Sequence, residues 1–206
     1  MSLILKMKNV CTQKTLCRDD SCDLCYRRSF ASNRRVSDWN YVLNNGVLPR
    51  HVFLNSNNKY WFTCSNCEHD FDNRLSHITS DDCWCPYCSV PPKKLCKNVD
   101  CLICLKKSFA SHEKSQFWNN ALNKQVTPRH VFLNSKKVFW FSCPSCSHAF
   151  KKRLSHMHGN GGCPYCRNQK LCNNETCMQC LNKSFSISVK VKFWNYAKRS
   201  ILKLKQ

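Results

Sequence analysis

Two cysteine quartets in this chain have a spacing that is typical of structural zinc sites. Each quartet consists of two CxxC pairs, separated by 17 residues in the first and by 16 in the second. A CxxC turn directs two sulfur atoms towards one point, and two such turns facing each other provide a tetrahedral thiolate set for Zn²⁺. A closed four-thiolate site leaves no coordination position for water, so we expect both sites to be structural. The predicted ligands are Cys64, Cys67, Cys85, Cys88, Cys143, Cys146, Cys163 and Cys166.

Three further clusters share a C-x4-C-x2-C spacing, called arrays below, and each offers only three thiolates. The fourth ligand comes from a histidine or a distant cysteine, from a thiolate that bridges two zinc ions, or is missing. Cys11 would complete the first array, Cys166 has the same spacing to the third, and His112 follows the second. Cys83 has no counterpart and is interpreted as a spare thiol. The array cysteines are Cys17, Cys22, Cys25, Cys96, Cys101, Cys104, Cys172, Cys177 and Cys180.

The array spacing also opens the cysteine motif of plant-type [2Fe–2S] ferredoxins, which makes an iron–sulfur electron carrier an alternative. The array occurs three times, however, and no downstream cysteine follows the third copy. Zinc is therefore the expected cofactor, in two sites and up to five.

The elements that must position these ligands repeat along the chain at an offset of about 79 residues, which indicates one structural unit used several times. An identical octapeptide follows the first two arrays, at Pro49 to Ser56 and at Pro128 to Ser135. Aromatic, strand-like runs at 59–63 and 137–142 enter the first CxxC pair of each quartet, and another strand-like run leaves it. This order predicts a β-hairpin with a zinc knuckle at its turn.

The predicted fold is a small, metal-stabilised α+β class of tandem zinc-ribbon or treble-clef-like modules, built from hairpin knuckles and short helices. Modules below about 40 residues need metal or disulfides in place of a large core. We expect two full repeats at 1–90 and 91–168, and a truncated third at 169–206 that contains an array and a basic helix. A tryptophan lies fourteen positions after each array, and we expect it on a short helix that packs against the cluster: Trp39, Trp118 and Trp194.

The run from Trp39 through "LPRHVFLNSNNKYWFTCSNCEHDF" to "CPYC", with its second copy, resembles a zinc-ribbon repeat in uncharacterised proteins of large DNA viruses and some bacteria. The "LC-x4-C-x2-C…KSFAS" segment is similar to a linker module that accompanies this repeat in giant viruses. The resemblance covers nearly the whole chain. It implies a treble-clef-like fold, bound zinc, and a nucleic-acid-binding or virion protein.

Charge and compartment narrow the choice of partner. The formal net charge is +21, from 33 Lys and Arg against 12 Asp and Glu. Each four-thiolate zinc adds about −2, so the metal-loaded chain stays basic, which favours nucleic acid. The rival is a structural adaptor of a virion or nucleoprotein assembly that acts through protein contacts. No secretory signal or membrane-spanning run is readable, so we expect a reducing compartment (cytoplasm, nucleus, viral factory or virion), no membrane and no small-molecule substrate.

The two hairpins carry different charges at matched positions. At the offset of 79, Asp72 becomes Lys151 and Asn73 becomes Lys152. Residues 191–205 read as a basic amphipathic helix. We expect the hairpins and this helix to contact phosphates of nucleic acid, with DNA favoured over RNA, through Lys151, Lys152, Arg153, Arg74, Lys192, Lys198, Arg199, Lys203 and Lys205.

Histidines repeat in pairs but do not form a catalytic arrangement. The two that follow a knuckle cysteine, His69 and His148, are interpreted as supporting groups that contact backbone or cap a zinc site. The other pairs are His51/His130 and His77/His156. No paired carboxylates accompany them, so we expect a protein without enzymatic activity.

Overall fold

A computed structural model describes residues 14–80, 84–157 and 162–195. The chain divides into two compact units, Met1–Cys104 and Leu105–Gln206. In each unit an array follows a two-stranded antiparallel hairpin, so the second array belongs to the first unit and the third array to the second. The small metal-stabilised α+β class predicted from the sequence is confirmed.

The regular elements are short. The strands are β1 (Lys59–Thr63), β2 (Asp70–Arg74), β3 (Val138–Ser142) and β4 (Ala149–Arg153). The α-helices are α1 (Asp23–Arg28), α2 (Leu75–Ser80), α3 (Leu102–Lys107), α4 (Asn120–Asn123) and α5 (Met178–Leu181). Single 3₁₀ turns cover Phe30–Ser32, Val36–Asp38, Pro49–His51, Phe109–Ser111, Glu113–Phe117, Pro128–His130, Leu154–His156, Phe185–Ile187 and Val189–Phe193. None of the helices in the described ranges has the length and apolar character that crossing a bilayer requires.

The two hairpins have the same register, and one phenylalanine pair anchors each. Phe62 lies opposite Phe71 in the first hairpin, and Phe141 lies opposite Phe150 in the second. Side chains alternate between the faces of a strand, so each pair points into the core while its neighbours point outwards. All four rings are buried.

The segment after each array packs on its hairpin through backbone bonds and an aromatic core. The Phe30 amide donates to the Val52 carbonyl at 2.9 Å, which joins the "SFAS" segment to the octapeptide. Trp39 forms an isolated bridge with Phe62, and its Nε1 donates to the Val47 carbonyl at 3.0 Å. Trp39 therefore packs in the core as expected, but it is extended rather than helical, because it pairs with a strand.

The third tryptophan differs from the first two. Trp118 is buried and repeats the Trp39 contacts, with Nε1 donating to the Val126 carbonyl at 3.1 Å. Trp194 is 36% exposed and packs against Phe185, which is itself exposed. Trp39 and Trp118 each pair with a hairpin strand, whereas Trp194 pairs with no strand among the described residues.

The basic helix expected from Val191 does not begin there. Val189–Phe193 is a 3₁₀ turn capped by the Ser188 hydroxyl, and Trp194 is extended. Alternating valines at 189 and 191 disfavour an α-helix because their branched side chains lose rotamer freedom. The remainder of the expected helix, with Lys198, Arg199, Lys203 and Lys205, lies outside the described residues.

Candidate metal centres

The two cysteine quartets assemble as the spacing predicts. In the first unit the Cys64 and Cys88 sulfurs are 3.7 Å apart, and those of Cys67 and Cys85 are 3.5 Å apart. The matching pairs of the second quartet are separated by 3.6 and 3.5 Å. Four sulfurs at about 2.3 Å from a tetrahedral zinc ion lie about 3.8 Å from one another, so both quartets fit zinc.

A tight turn in each hairpin aims the first CxxC pair. The Cys64 amide donates to the His69 carbonyl at 3.0 Å, and the Glu68 amide donates back to the Cys64 carbonyl at 2.7 Å. Glu68 and its counterpart Ser147 have φ values of 55° and 54°, in the left-handed region that this turn requires. The second pair of each quartet lies on a Cys-Pro-Tyr-Cys turn.

Several quartet thiols have pKa values that depart from that of a free cysteine. Burial raises the pKa of Cys88 to about 11, and burial likewise raises the pKa of Cys146 to about 11. For Cys143 the effect of burial is outweighed by hydrogen bonds from Cys146 and from the Ser145 amide, which lower its pKa to about 7. Zinc binds thiolates, so loading these sites releases protons and is favoured by rising pH.

Two of the arrays are completed by the histidine of the preceding hairpin. His69 Nε2 lies 3.4 Å from the Cys101 sulfur and 3.5 Å from the Cys104 sulfur, and Cys96 completes the group. His148 Nε2 lies 3.5 Å from both the Cys177 and the Cys180 sulfurs, and Cys172 completes that group. Tetrahedral zinc with bonds of about 2.0 to 2.1 Å to nitrogen and 2.3 Å to sulfur separates these atoms by about 3.6 Å, so both sets fit zinc.

Aromatic stacking holds each histidine in place. The His69 ring stacks on Tyr87 at 4.4 Å between ring centroids, and the His148 ring stacks on Tyr165 at 4.3 Å. The Nδ1 atoms of both histidines are buried without a hydrogen-bond partner, so stacking rather than a hydrogen bond orients each imidazole. Each tyrosine lies between two cysteines of the quartet, which ties the quartet site to the neighbouring array site.

The geometry therefore favours a ligand role over the supporting role expected for His69 and His148, because each completes a three-cysteine array as a group that fits zinc. The placement of His69 beside the array was not evident from the sequence, because 26 residues separate it from the first cysteine of that array. One signal was available. Both quartets carry a histidine two residues after the second cysteine, and an array follows both quartets.

The first array forms a three-cysteine group among the described residues. Cys17, Cys22 and Cys25 lie together, and the Cys17 amide donates to the Cys25 sulfur at 3.4 Å, as in the other two arrays. Arg50 Nη2 donates to the Asp19 carbonyl at 2.8 Å and lies 3.9 Å from the Cys17 sulfur. The guanidinium thus braces the array and offsets thiolate charge. Cys11, the predicted fourth ligand, lies outside the described residues, as does Cys83.

The remaining histidines and the alternative thiolate have other roles. His112 accepts a hydrogen bond from the Lys114 amide at 3.0 Å and stacks on Phe109, so it does not complete the second array. Cys166 belongs to its quartet, and the third array is complete without it. Among the described histidines, only those at 69 and 148 join a cysteine group.

The predicted phosphate-contacting residues that the structure describes are spread over several surfaces. Lys151 and Arg153 lie exposed on the outward face of β4, whereas the alternate residue Lys152 is half-buried. Arg74 is exposed at the end of β2. Lys192 is exposed, with Nζ 5.2 Å from the centre of the Phe193 ring.

Thiolate quartets on a hairpin knuckle and a second turn, with histidine-completed arrays beside them, define a treble-clef-like zinc-binding protein. The chain belongs to the family described as a probable treble clef zinc finger domain, whose model matches residues 36–91 and 115–169. Both matches contain a complete quartet and its histidine, and both leave the arrays outside.

The chain is also similar to an uncharacterized protein of Acanthamoeba polyphaga mimivirus. The two are 33% identical over 196 residues, which cover 93% of this chain and 46% of the viral protein. The chain thus spans about half the length of this relative.

Proposed function

We propose that this zinc protein is a non-enzymatic nucleic-acid-binding protein that contacts backbone phosphates with little sequence readout. The observation that carries the proposal is the outward face of the second hairpin, where cations have no carboxylate partner within the part of the chain that the structure describes. Phosphate contacts of this kind supply affinity but do not distinguish one base from another.

The second hairpin presents a basic groove. Lys151 Nζ lies 4.9 Å from the centre of the Trp140 ring, and Arg153 pairs with Val138 in the strand register. Across the described ranges, no carboxylate forms a salt bridge with either cation. Together with Lys152 and Lys170 they line a groove of about 500 Å³. A polyanion placed there would meet concentrated positive charge without having to displace an internal carboxylate.

The first hairpin shows the same backbone with its charge neutralised. Lys59 Nζ lies 2.8 Å from an Asp72 carboxylate oxygen, and the hydrogen bond from Lys59 holds the pKa of Asp72 below its usual value. Asp70 accepts hydrogen bonds from Thr63 at 2.6 Å and from Asn40 at 3.2 Å. Phosphates should therefore prefer the second hairpin.

Two features of the metal ligands support two further parts of the proposal: that the protein is not an enzyme, and that it works in a reducing compartment. Sites closed by four protein ligands offer no open zinc position to activate water, which favours a structural role for the metal. Thiolate ligands have to stay reduced, which favours a reducing compartment. The rival proposal, a structural adaptor that binds protein, makes a different prediction in the experiment below.

The test is a salt titration of binding to duplex DNA, single-stranded DNA and RNA, with zinc-loaded protein under reducing conditions. If phosphates are contacted, the logarithm of the binding constant falls linearly with the logarithm of salt concentration, by about 0.9 per contact on duplex DNA and 0.7 on single strands. Flat salt dependence, or no binding at low salt, contradicts the proposal and favours the adaptor.

The chain supplies its own matched variant. Replacing Lys151→Asp and Lys152→Asn gives the second hairpin the residues of the first at both positions. We expect the slope on duplex DNA to become shallower by about two contacts, or roughly 1.8. The reverse pair, Asp72→Lys with Asn73→Lys, should steepen it. An unchanged slope in both variants would remove these hairpins from the binding surface.

A further inference from the structure

The interiors of the two hairpin modules differ at a position next to a zinc ligand. The residue immediately before the third quartet cysteine is Trp84 in the first unit and Gly162 in the second. Glycine has no side chain to occupy the volume that the indole fills in its counterpart. The two sites are otherwise built on the same strand register and the same zinc ligands.

In the first unit the indole of Trp84 fills its own pocket. Its ring lies edge-on to Phe71 at 5.0 Å and to Phe62 at 5.5 Å. The Arg35 guanidinium lies over the indole at 4.4 Å and forms a salt bridge of 3.7 Å with Asp38. The shape of this space therefore suits a flat, fused bicyclic ring with a cation over its face.

In the second unit the corresponding space is part of a pocket of about 570 Å³, which also takes in the space beside the quartet cysteines Cys143, Cys163 and Cys166. Phe150 and Lys114, the counterparts of Phe71 and Arg35, still line it. Lys114 Nζ donates to the Met157 carbonyl at 2.9 Å, which fixes the cation at the pocket wall. The volume falls in the range of about 300 to 1,000 Å³ that is usual for small-ligand sites.

A paired substitution makes this pocket more apolar than its counterpart. In the first unit the Asp38 carboxylate accepts a hydrogen bond from the Ser65 amide at 2.9 Å. Phe117 replaces Asp38 in the second unit, and Pro144, which has no amide hydrogen to satisfy, replaces Ser65. Both replacements line the pocket. The buried charge has thus been exchanged for a flat apolar wall.

We propose that this pocket binds the purine base of an unpaired nucleotide. A purine is a fused bicyclic ring like the indole that fills the matching site, and Lys114 replaces the Arg35 cation beside it. Phe150 also lines the basic groove, so the pocket adjoins the cations proposed to hold phosphates. The inference rests on the proposed function and adds to it a preference for single-stranded, purine-containing nucleic acid.

The test uses Gly162→Trp, which fills the pocket with the residue that the first unit carries at this position. We expect affinity for single-stranded oligo(dA) to fall roughly five- to 150-fold, the usual range for loss of one stacked base, while the salt slope stays unchanged. Native mass spectrometry of the variant should show the full zinc content, which verifies the fold. A matched control, Lys151→Asp with Lys152→Asn, should change the slope but keep the preference for oligo(dA) over oligo(dT).

A second measurement does not depend on the variant folding. Fluorescence of 2-aminopurine in a single-stranded oligonucleotide should be quenched on binding to the wild-type protein and not when the probe is held in a duplex. Salt-dependent binding with neither purine preference nor quenching overturns the pocket assignment and leaves the proposed function standing. No binding of any oligonucleotide at low salt overturns both. Binding of free indole without binding of adenosine monophosphate would assign the pocket to an aromatic side chain of a protein partner.

Discussion

The two hairpin modules have the same strand register and each has its own cysteine quartet, but they differ in the charge of the outward face and in the residue before the third quartet cysteine. On the outward face of the first module, Lys59 and Asp72 form a salt bridge that neutralises both charges. At the matching position of the second module, the Lys151 ammonium lies over the Trp140 ring. Next to the third quartet cysteine, Trp84 packs against Phe71 in the first module, whereas Gly162 borders a pocket in the second. The first module satisfies its groups internally, and the second leaves charge and space for a ligand.

This difference shows what zinc allows a small fold to do. Apparent zinc-binding free energies of about 10 to 16 kcal/mol in small zinc modules are comparable to the whole stability of a domain. Because the metal holds each hairpin, a half-buried tryptophan or a surface ion pair can be lost in one repeat without loss of the fold. Sequence differences between the repeats therefore report on function more than on stability.

The largest expected effect comes from removing a quartet ligand. We expect Cys67→Ser to release two zinc ions, because His69 lies on the same knuckle and its ring stacks on Tyr87 of the quartet turn. Cys101→Ser, in the array, should release one. Native mass spectrometry counts the ions, and circular dichroism should show loss of hairpin structure in the first variant alone.

The second unit provides the matching pair, Cys146→Ser and Cys177→Ser, with the same expected losses of two ions and one. Equal losses from quartet and array variants would contradict the dependence of the array site on the quartet. A chelator titration that leaves the circular-dichroism spectrum unchanged would contradict the structural role of zinc in both units.

The next effect concerns the histidine ligands. We expect His69→Ala and His148→Ala each to remove one zinc ion and to leave the quartets loaded, since three thiolates remain where four ligands had closed the site. The affinity lost should exceed the 10- to 100-fold that removing a supporting contact costs. Competition with a chromophoric chelator measures it.

His77→Ala is the control for the first unit, because His77 is exposed on α2 and joins no cysteine group. The loss of zinc affinity in Tyr87→Leu should lie between those of His69→Ala and His77→Ala, at about 10- to 100-fold, since this variant removes only the stacking that orients His69. Full zinc content and unchanged affinity in His69→Ala would return that histidine to the supporting role suggested by its sequence.

The strands and quartets were predictable because their signals are local. A CxxC pair specifies its own turn, and the aromatic runs before it specify a strand, so β1 coincides with its predicted range and β3 begins one residue later than expected. The histidine ligands were missed because their partners are distant in sequence. Only the folded hairpin brings His69 to the array at 96–104.

Two other features required the structure for a different reason. The contrast between Trp84 and Gly162 is visible in the sequence, but its meaning depends on which rings surround the indole. The expected helix at 191–205 followed a spacing pattern, whereas the branched side chains of the valines at 189 and 191 disfavour an α-helix, and a 3₁₀ turn covers its first residues. Periodicity alone did not distinguish these outcomes.

The smallest expected effect separates the outward faces of the two hairpins. Asp72→Asn removes the partner of Lys59 and should lower the free energy of unfolding by about 0.2 to 1 kcal/mol, as for other exposed ion pairs. Lys151→Asn, at the matching position, should lower it by less, because no ion pair is lost. Denaturant unfolding of zinc-loaded protein at neutral pH measures both.

Salt and pH then identify the source of the Asp72 effect. The pKa of Asp72 is lowered by Lys59, so its stabilisation is present above the ordinary carboxyl pKa of about 4 and fades as the pH falls through the lowered value. Cysteine ligands take up protons and release zinc as the pH falls, which would mask that loss. Salt is therefore the better variable. In 1 M NaCl the Debye length is about 3 Å, so exposed charge pairs are screened. The difference in unfolding free energy between Asp72→Asn and wild type should then vanish. A difference that persists at high salt would mean that Asp72 stabilises the hairpin by packing, and the contrast between the two outward faces would then be one of shape rather than charge.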